Sequence, residues 1–296
     1  RAKKGEYFTQ ETGNHCPLCG KIPPVNKTKL PLGRETDYPH RYAPEVLCPI
    51  PRADSRAILG LGDTLPFSGV DIWNAWDLTW LGPNGQPRVA TAEIRVPAES
   101  PSIVESKSLK LYLGSFAMSS FDGVTAVAES IERDLAACAG APIKVSVLPV
   151  SETESRRVAR LAGTCIDELD ASCSDWDVNA GLLRSDESET VREDLHTHLL
   201  RSLCPVTAQP DIGSLQISYR GPKIDRMGLL RYVVSFREHN DFHEACIERM
   251  FVDLMSRCGC DELTVQARYQ RRGGIDINPI RSNAGEKPLN LRLWRQ

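Results

Sequence analysis

Residues 231–267 read "RYVVSFREHNDFHEACIERMFVDLMSRCGCDELTVQA". Three words in this stretch, RYVVSF (231–236), IERMF (247–251) and LTVQA (263–267), follow the order of LYLGSF (111–116), IERDL (131–135) and IKVSV (143–147). Three short likenesses in one order argue for a duplicated unit. The pattern within each copy says which unit. "SLKLYLGSF" and "AVAESIERDLAACA" carry helical spacing, the second with Ile131, Leu135 and Cys138 on one face, and "IKVSVLPV" alternates as a strand. Ahead of them, "VDIWNAWDLTWLG" and "PRVATAEIRVP" alternate around the turn-forming "GPNGQP", which predicts a β-hairpin. In the later copy "GSLQISYRG" and "ELTVQARYQ" read as strands, with "GLLRYVVSF" and "FHEACIERMFVDLMSRCG" as helices between them. The expected fold is α+β: two β-β-α-α-β-β halves, each an antiparallel sheet with two helices packed on one face.

Residues 66–160 are assigned to the first half and 161–296 to the second, with the charged "SETESRRVARLAG" and the acidic "RSDESETVRED" between the periodic stretches. Residues 1–65, rich in Pro, Gly and charge, read as irregular chain draped over the later core. A hydrophobic content of 41% is enough to bury that core. Lysine and arginine number 36 against 39 aspartates and glutamates, a net charge of -3, so no broad field favours direct nucleic-acid binding. No apolar run reaches about 18 residues and no basic-then-apolar leader is present, so no membrane partner and a cytoplasmic location are expected. Ten cysteines without paired spacing suggest reduced thiols.

Five short stretches could carry chemistry. In "NHCPLCGK", Cys16 and Cys19 have the spacing of half a zinc knuckle and His15 adds a donor, but there is no second C-x-x-C; loosely packed thiols are the alternative, and no metal is expected. In "ESKSLKLY" (105–112), Ser106, Lys107, Ser108 and Lys110 could grip phosphates while Glu105 accepts from a heterocycle. The alternative is a helix start, with Glu105 on the N-terminal dipole and the lysines solvated. In "NDFHEAC", His243 and Glu244 could line a pocket at a helix end, the acid reading a guanidine-like edge and the histidine holding a proton; capping is the other reading. In "RRGGID", the glycines allow close backbone approach and Arg272 offers a fork for phosphate, against a plain turn. In "SLCPVTAQPD", Cys204 stands outside regular elements, either a nucleophile or one more small core residue. Asp211, if buried enough to keep its proton, could act beside it as general acid.

The set "VESKSLKLY", "SLCPVTAQPDIGSLQISY", "VSFREHNDFHEACIERMF" and "ARYQRRGGIDINPIRSN" resembles the long form of the bacterial NADPH-dependent 7-cyano-7-deazaguanine reductases, the nitrile reductases of queuosine biosynthesis. The likeness runs from "DTLPFSGVDIW" to the C-terminus, with "GRETDYPHRY" extending it upstream. "ESKSLKLY" fits the pattern E-S-K-S-x-K-L-Y that separates these reductases from the related GTP cyclohydrolases. The resemblance implies tandem tunnelling-fold halves, a homodimer, and a free deazapurine base as substrate. It implies that Cys204 adds to the nitrile carbon to give a thioimidate, Asp211 protonates the nitrile nitrogen, and two NADPH are consumed per turnover. By the same resemblance Val104, Glu105, Ser106, His243 and Glu244 bind substrate, and Ser106, Lys107, Arg272 and Gly273 bind the cofactor. "NHCPLCGK" has no counterpart in the pattern. Two rival readings are a GTP cyclohydrolase-like zinc enzyme of the same fold, which needs a Cys/His metal set at the pocket, and a non-catalytic RNA-binding module, against which the net charge counts.

Overall fold

The computed structural model describes residues 38–152, 157–285 and 289–296, so "NHCPLCGK" with Cys16 and Cys19 lies outside the described residues. A short lead-in carries strand β1 (Pro49–Pro51) and helix α1 (Ala53–Ile58). The first half follows as β2 (Ser68–Leu81), β3 (Pro87–Pro97), β4 (Ser102–Val104), α2 (Ser106–Ser115), α3 (Val124–Ala139) and β5 (Lys144–Pro149). After a two-residue strand β6 (Thr164–Cys165), the second half runs β7 (Ser185–Leu203), β8 (Pro210–Ile224), α4 (Arg226–Val234), α5 (His243–Cys258), β9 (Glu262–Tyr269) and β10 (Ile275–Ser282).

The hairpin β2–β3 and all four long helices stand where the periodicity places them, so the fold is α+β with two like halves. The sheets join edge to edge: β10 pairs antiparallel with β2 from Ile275↔Ala75 to Ser282↔Ser68, giving one eight-stranded sheet in the order β5-β3-β2-β10-β9-β8-β7-β6. The join is close. A Cβ on Gly69 would collide with the carbonyl of Ile280, so this seam position admits only glycine. Two cores result, one holding Leu109, Tyr112 and Ile131 under the first half, the other Tyr232, Phe251 and Val265 under the second.

Three details differ from the reading of the sequence. The charged chain after β5 adds no further strand to the β5-β3-β2 part of the sheet among the described residues, because "SETESRRVARLAG" offers no alternating apolar face. The acidic "RSDESETVRED" is instead drawn into the 19-residue strand β7, which absorbs it through register shifts between Asp186 and Thr190 and between Thr197 and Leu200. IERMF and IERDL are three residues out of step with their helix ends; three residues is nearly one turn, so the apolar face is conserved all the same.

Segment 38–65 is tied into the core by charge. Arg52 and Arg56 reach Asp71 of β2 and Glu248 of α5 at 2.5 and 2.7 Å, and Arg281 of β10 bridges both acids at 2.7 and 2.9 Å. All five side chains are buried. Because each carboxylate meets at least two guanidinium groups, the desolvation of these ions is offset by several charge-assisted hydrogen bonds.

Candidate active site

A cleft opens at the seam between the halves. From the first half it takes Trp73 of β2, Val104 at the end of β4, and Ser106 and Lys110 of α2. From the second it takes Cys204, Asp211, His243, Glu244 and Arg272. These five come from three separate stretches of sequence, brought together by the β8–β9 ladder, the docking of α5 and the Leu203↔Asn240 bridge.

Cys204 sits in the six-residue loop between β7 and β8. The loop closes on itself: the Cys204 N–H donates to the Gln209 carbonyl and the Ala208 N–H to the Cys204 carbonyl, each at 2.9 Å. To close it, Ala208 adopts φ 54°, the one left-handed non-glycine residue among those described. Such a conformation costs on the order of 1 kcal/mol and persists where the surroundings over-determine it, as they do at functional loops. The thiol is thereby held at the cleft, 9% exposed.

Asp211 begins β8 beside this loop. Burial raises its carboxyl, but His243, with Nε2 at 3.2 Å from Oδ2, and the Arg272 guanidinium outweigh that effect and hold it below the usual carboxylate range. The condition stated for a general acid, burial sufficient to keep Asp211 protonated, is therefore not met by this residue alone. Asp211 and His243 thus form one hydrogen-bonded pair at the cleft, with the ionised carboxylate accepting from Nε2. His243 is held for this by Tyr269, whose ring stacks on the imidazole at 3.7 Å and 8°.

Glu244 is the second residue of α5 and only 3% exposed. Its Oε1 has no hydrogen-bond partner. Burial, then the charge of Asp71, pushes its pKa up to about 7, against the opposing pull of His243 and Arg52. An unpaired carboxylate oxygen in a cleft wall is a demand for N–H donors, since buried polar groups are otherwise paired.

Glu105 takes the other course. Its two carboxylate oxygens cap α2, accepting from the N–H groups of Lys107 and Ser108 at 2.9 and 2.7 Å, and it does not line the cleft. The helix-start reading of "ESKSLKLY" thus describes Glu105, while Ser106 turns into the cleft and Lys107 stays beside it on the first turn. Gly273 stands at the cleft's edge with φ 58°, and a Cβ there would meet Lys110 at 3.1 Å. Lys110 itself is a lining residue that the resemblance did not supply, although its spacing within "ESKSLKLY" marks it for anions. Burial and then Arg272 depress its pKa. Lys110, Arg272 and Ser106 give this end of the cleft the cations and hydroxyl that a phosphorylated, ribose-bearing cofactor requires, and Gly273 leaves it open.

Two α+β halves share one sheet, with a loop cysteine, an Asp–His pair and an unsatisfied carboxylate at their seam, which defines a class of two-half proteins with a polar, thiol-bearing cleft. Comparison with known proteins makes this particular. The family described as nitrile reductase, 7-cyano-7-deazaguanine-reductase N-term, matches residues 38–147, and the one described as QueF-like protein matches residues 210–288. A curated relative from Dechloromonas aromatica is 51% identical over 268 residues, covering 90% of this chain and 95% of its own length. One from Chromohalobacter salexigens is 52% identical over 268 residues, with 90% and 96% covered, and one from Bordetella parapertussis is 51% identical over 273 residues, with 92% and 100% covered. All three are named NADPH-dependent 7-cyano-7-deazaguanine reductase. The chain belongs to this family of tandem tunnelling-fold proteins.

Proposed function

We propose that this chain is an NADPH-dependent nitrile reductase that converts 7-cyano-7-deazaguanine to 7-aminomethyl-7-deazaguanine in queuosine biosynthesis. The observation that carries the proposal is the unpaired Glu244 carboxylate facing the same cleft as the Cys204 thiol and the Asp211–His243 pair. A guanine-like edge offers two adjacent N–H donors, which a carboxylate accepts together; Val104 and Ser106 line the cleft alongside.

With the ring so held, Cys204 adds as thiolate to the nitrile carbon. One C–S bond forms, one C–N π bond breaks, and the nitrogen takes a proton from the Asp211–His243 pair, so a neutral thioimidate results with no free anion. Reduction of a nitrile to an amine takes up two hydrides and two protons; two NADPH per turnover would supply the hydrides. Lys110, Arg272 and Ser106, with Gly273 and Lys107 beside them, would hold its phosphate and ribose region. Arg272 now bonds Asp211 and Gln209, so a cofactor phosphate would compete for this guanidinium and alter the charge on Asp211. The family resemblance supports a homodimer acting on the free base in the cytoplasm.

The rival cyclohydrolase reading requires metal donors at the cleft. Among the described residues, the His/Cys group with metal-ligand spacing is Cys165, His196 and His198, which includes neither Cys204 nor His243. The test of the reductase is intact-protein mass after mixing with 7-cyano-7-deazaguanine in the absence of NADPH. One substrate mass should be gained, lost on adding NADPH, and never gained by Cys204→Ala. A reduced, folded protein that binds the base without forming the adduct would overturn the thioimidate route.

A further inference from the structure

His196 and His198 are two residues apart on β7, and Leu195 and Thr197 between and beside them are buried. By strand alternation the two imidazoles stand on the sheet face opposite the core. Cys165 of β6 is the cross-strand neighbour of His196. One donor atom from each of the three lies within 4.8 Å of the others. This group plays no part in the cleft chemistry described above.

The surroundings prepare it further. His196 Nδ1 lies 3.0 Å from the carbonyl of Ala162, which can only accept; Nδ1 therefore carries the hydrogen and Nε2 the lone pair. His198 Nδ1 is held by the Ser214 hydroxyl at 2.8 Å. Anchoring one ring nitrogen to orient the other is how ligating histidines are set. Gly163, at φ 82°, brings the Ala162 carbonyl close enough, and a side chain there would collide with Asp194. The Asp167 carboxylate, two residues from Cys165, accepts the His198 backbone N–H with both oxygens at 3.1 Å and places a negative charge beside the group. Arg295 donates to the His198 carbonyl and lies over the Trp294 ring.

We propose that Cys165, His196 and His198 form a divalent-metal site of the zinc class. Two imidazoles and a thiolate supply three of the four positions of a tetrahedral ion, and the fourth faces solvent. Binding releases the Cys165 thiol proton. The ion acts as a staple, because β6 is only two residues long and is, among the described residues, the one strand in the long connection between β5 and β7. With the metal bound, that connection is fixed to β7 by three side chains as well as two backbone pairs.

The experiment uses the full chain, reduced, stripped with chelator and titrated with Co²⁺. Wild-type protein should develop tetrahedral ligand-field bands and a thiolate-to-cobalt charge-transfer band, both bleached by Zn²⁺. Cys165→Ser and His198→Asn should lose both, while Cys16→Ser/Cys19→Ser should keep them, which separates this site from the N-terminal cysteine pair. Zn²⁺ should also raise the thermal midpoint of wild type by several degrees and leave that of Cys165→Ser unmoved. Cys165 is exposed, so its serine variant retains the fold, which circular dichroism checks. Absence of the bands in wild type, or their survival in Cys165→Ser, overturns the proposal.

Discussion

The two halves close their first hairpins in the same place and to different ends. Between β2 and β3 lies Gly82–Gln86, a plain turn in which the Gly82 N–H donates to the Gln86 carbonyl. Between β7 and β8 lies the loop of Cys204, strained at Ala208 and followed by Asp211. Their scaffolds, by contrast, agree in detail. An acid caps the first long helix of each half, Glu105 on α2 and Asp225 on α4. A tyrosine on that helix, Tyr112 or Tyr232, donates to an aspartate on the next, Asp134 or Asp253, at 2.6 Å in both cases. Glycine ends α3 and α5 alike in the left-handed conformation. Positions that lock helix to helix are held in common, and positions at loop tips and helix starts diverge, since these can change without disturbing the core.

The largest effect should therefore come from the loops. Cys204→Ala is expected to lower turnover on the order of 10³-fold or more while leaving the fold intact, and Asn84→Ala in the matching turn of the first half should change nothing. Steady-state assays of both variants decide this; retained turnover in Cys204→Ala would remove the asymmetry altogether.

Next in size is the second residue of each long helix, Glu244 on α5 against the exposed Thr125 on α3. Glu244→Gln removes the acceptor for a pair of N–H donors and should raise KM roughly 100-fold. Thr125→Val should leave KM as it was. Equal losses from the two would mean that Glu244 supports the helix and not the ring.

Glu244 also gives the second half a pH dependence that the first half has no residue to match at this position. Its pKa rises on folding to about 7, so the native protein holds a proton that the unfolded chain has already released. The stabilising contribution is complete below the ordinary glutamate value and is lost as pH rises through about 7. Denaturant titrations should show Glu244→Gln gaining on wild type by up to a few kcal/mol between about pH 4.5 and about pH 7. Over the same window wild type should bind the base more tightly as the carboxylate forms. A stability difference that does not vary with pH would place the proton elsewhere.

Much of this was open to reading before any coordinates. The β2–β3 hairpin, the helices and the duplication follow from periods of two and 3.6 residues, and the motifs that meet at the cleft, "SLCPVTAQPD", "NDFHEAC" and "RRGGID", stand out as polar or irregular text beside regular elements. What escaped was set by contacts distant in sequence. Arg52 and Arg56 sit in Pro-rich chain with no periodicity, and nothing local reveals that Asp71, Glu248 and Arg281 await them. Tyr269 reads as an ordinary strand residue until α5 lays His243 on its ring. The charge state of Asp211 could not be read at all, because burial alone raises its pKa and only the geometry supplies the two partners that reverse the sign.

The smallest expected effect tests whether the shared scaffold is equally strong in both copies. Tyr112→Phe and Tyr232→Phe each delete one hydroxyl whose ring stays in an edge contact with Phe116 or Phe236. Packing is therefore little changed, and the cost is that of the orphaned carboxylate. Asp134 keeps the Tyr42 hydroxyl and Arg133 as partners, supplied by the lead-in segment and by its own helix. Asp253 has no second hydrogen-bond partner for its carboxylate among the described residues. Tyr232→Phe should thus cost about 2 kcal/mol in urea unfolding and Tyr112→Phe about 1 kcal/mol or less, with turnover unaffected in both. Removing Tyr42 as well, in Tyr42→Phe/Tyr112→Phe, should bring the first half up to the cost seen in the second. If the single variants already cost the same, the lead-in segment lends the first half no support through Tyr42, and the Tyr–Asp locks are energetically as well as geometrically equivalent.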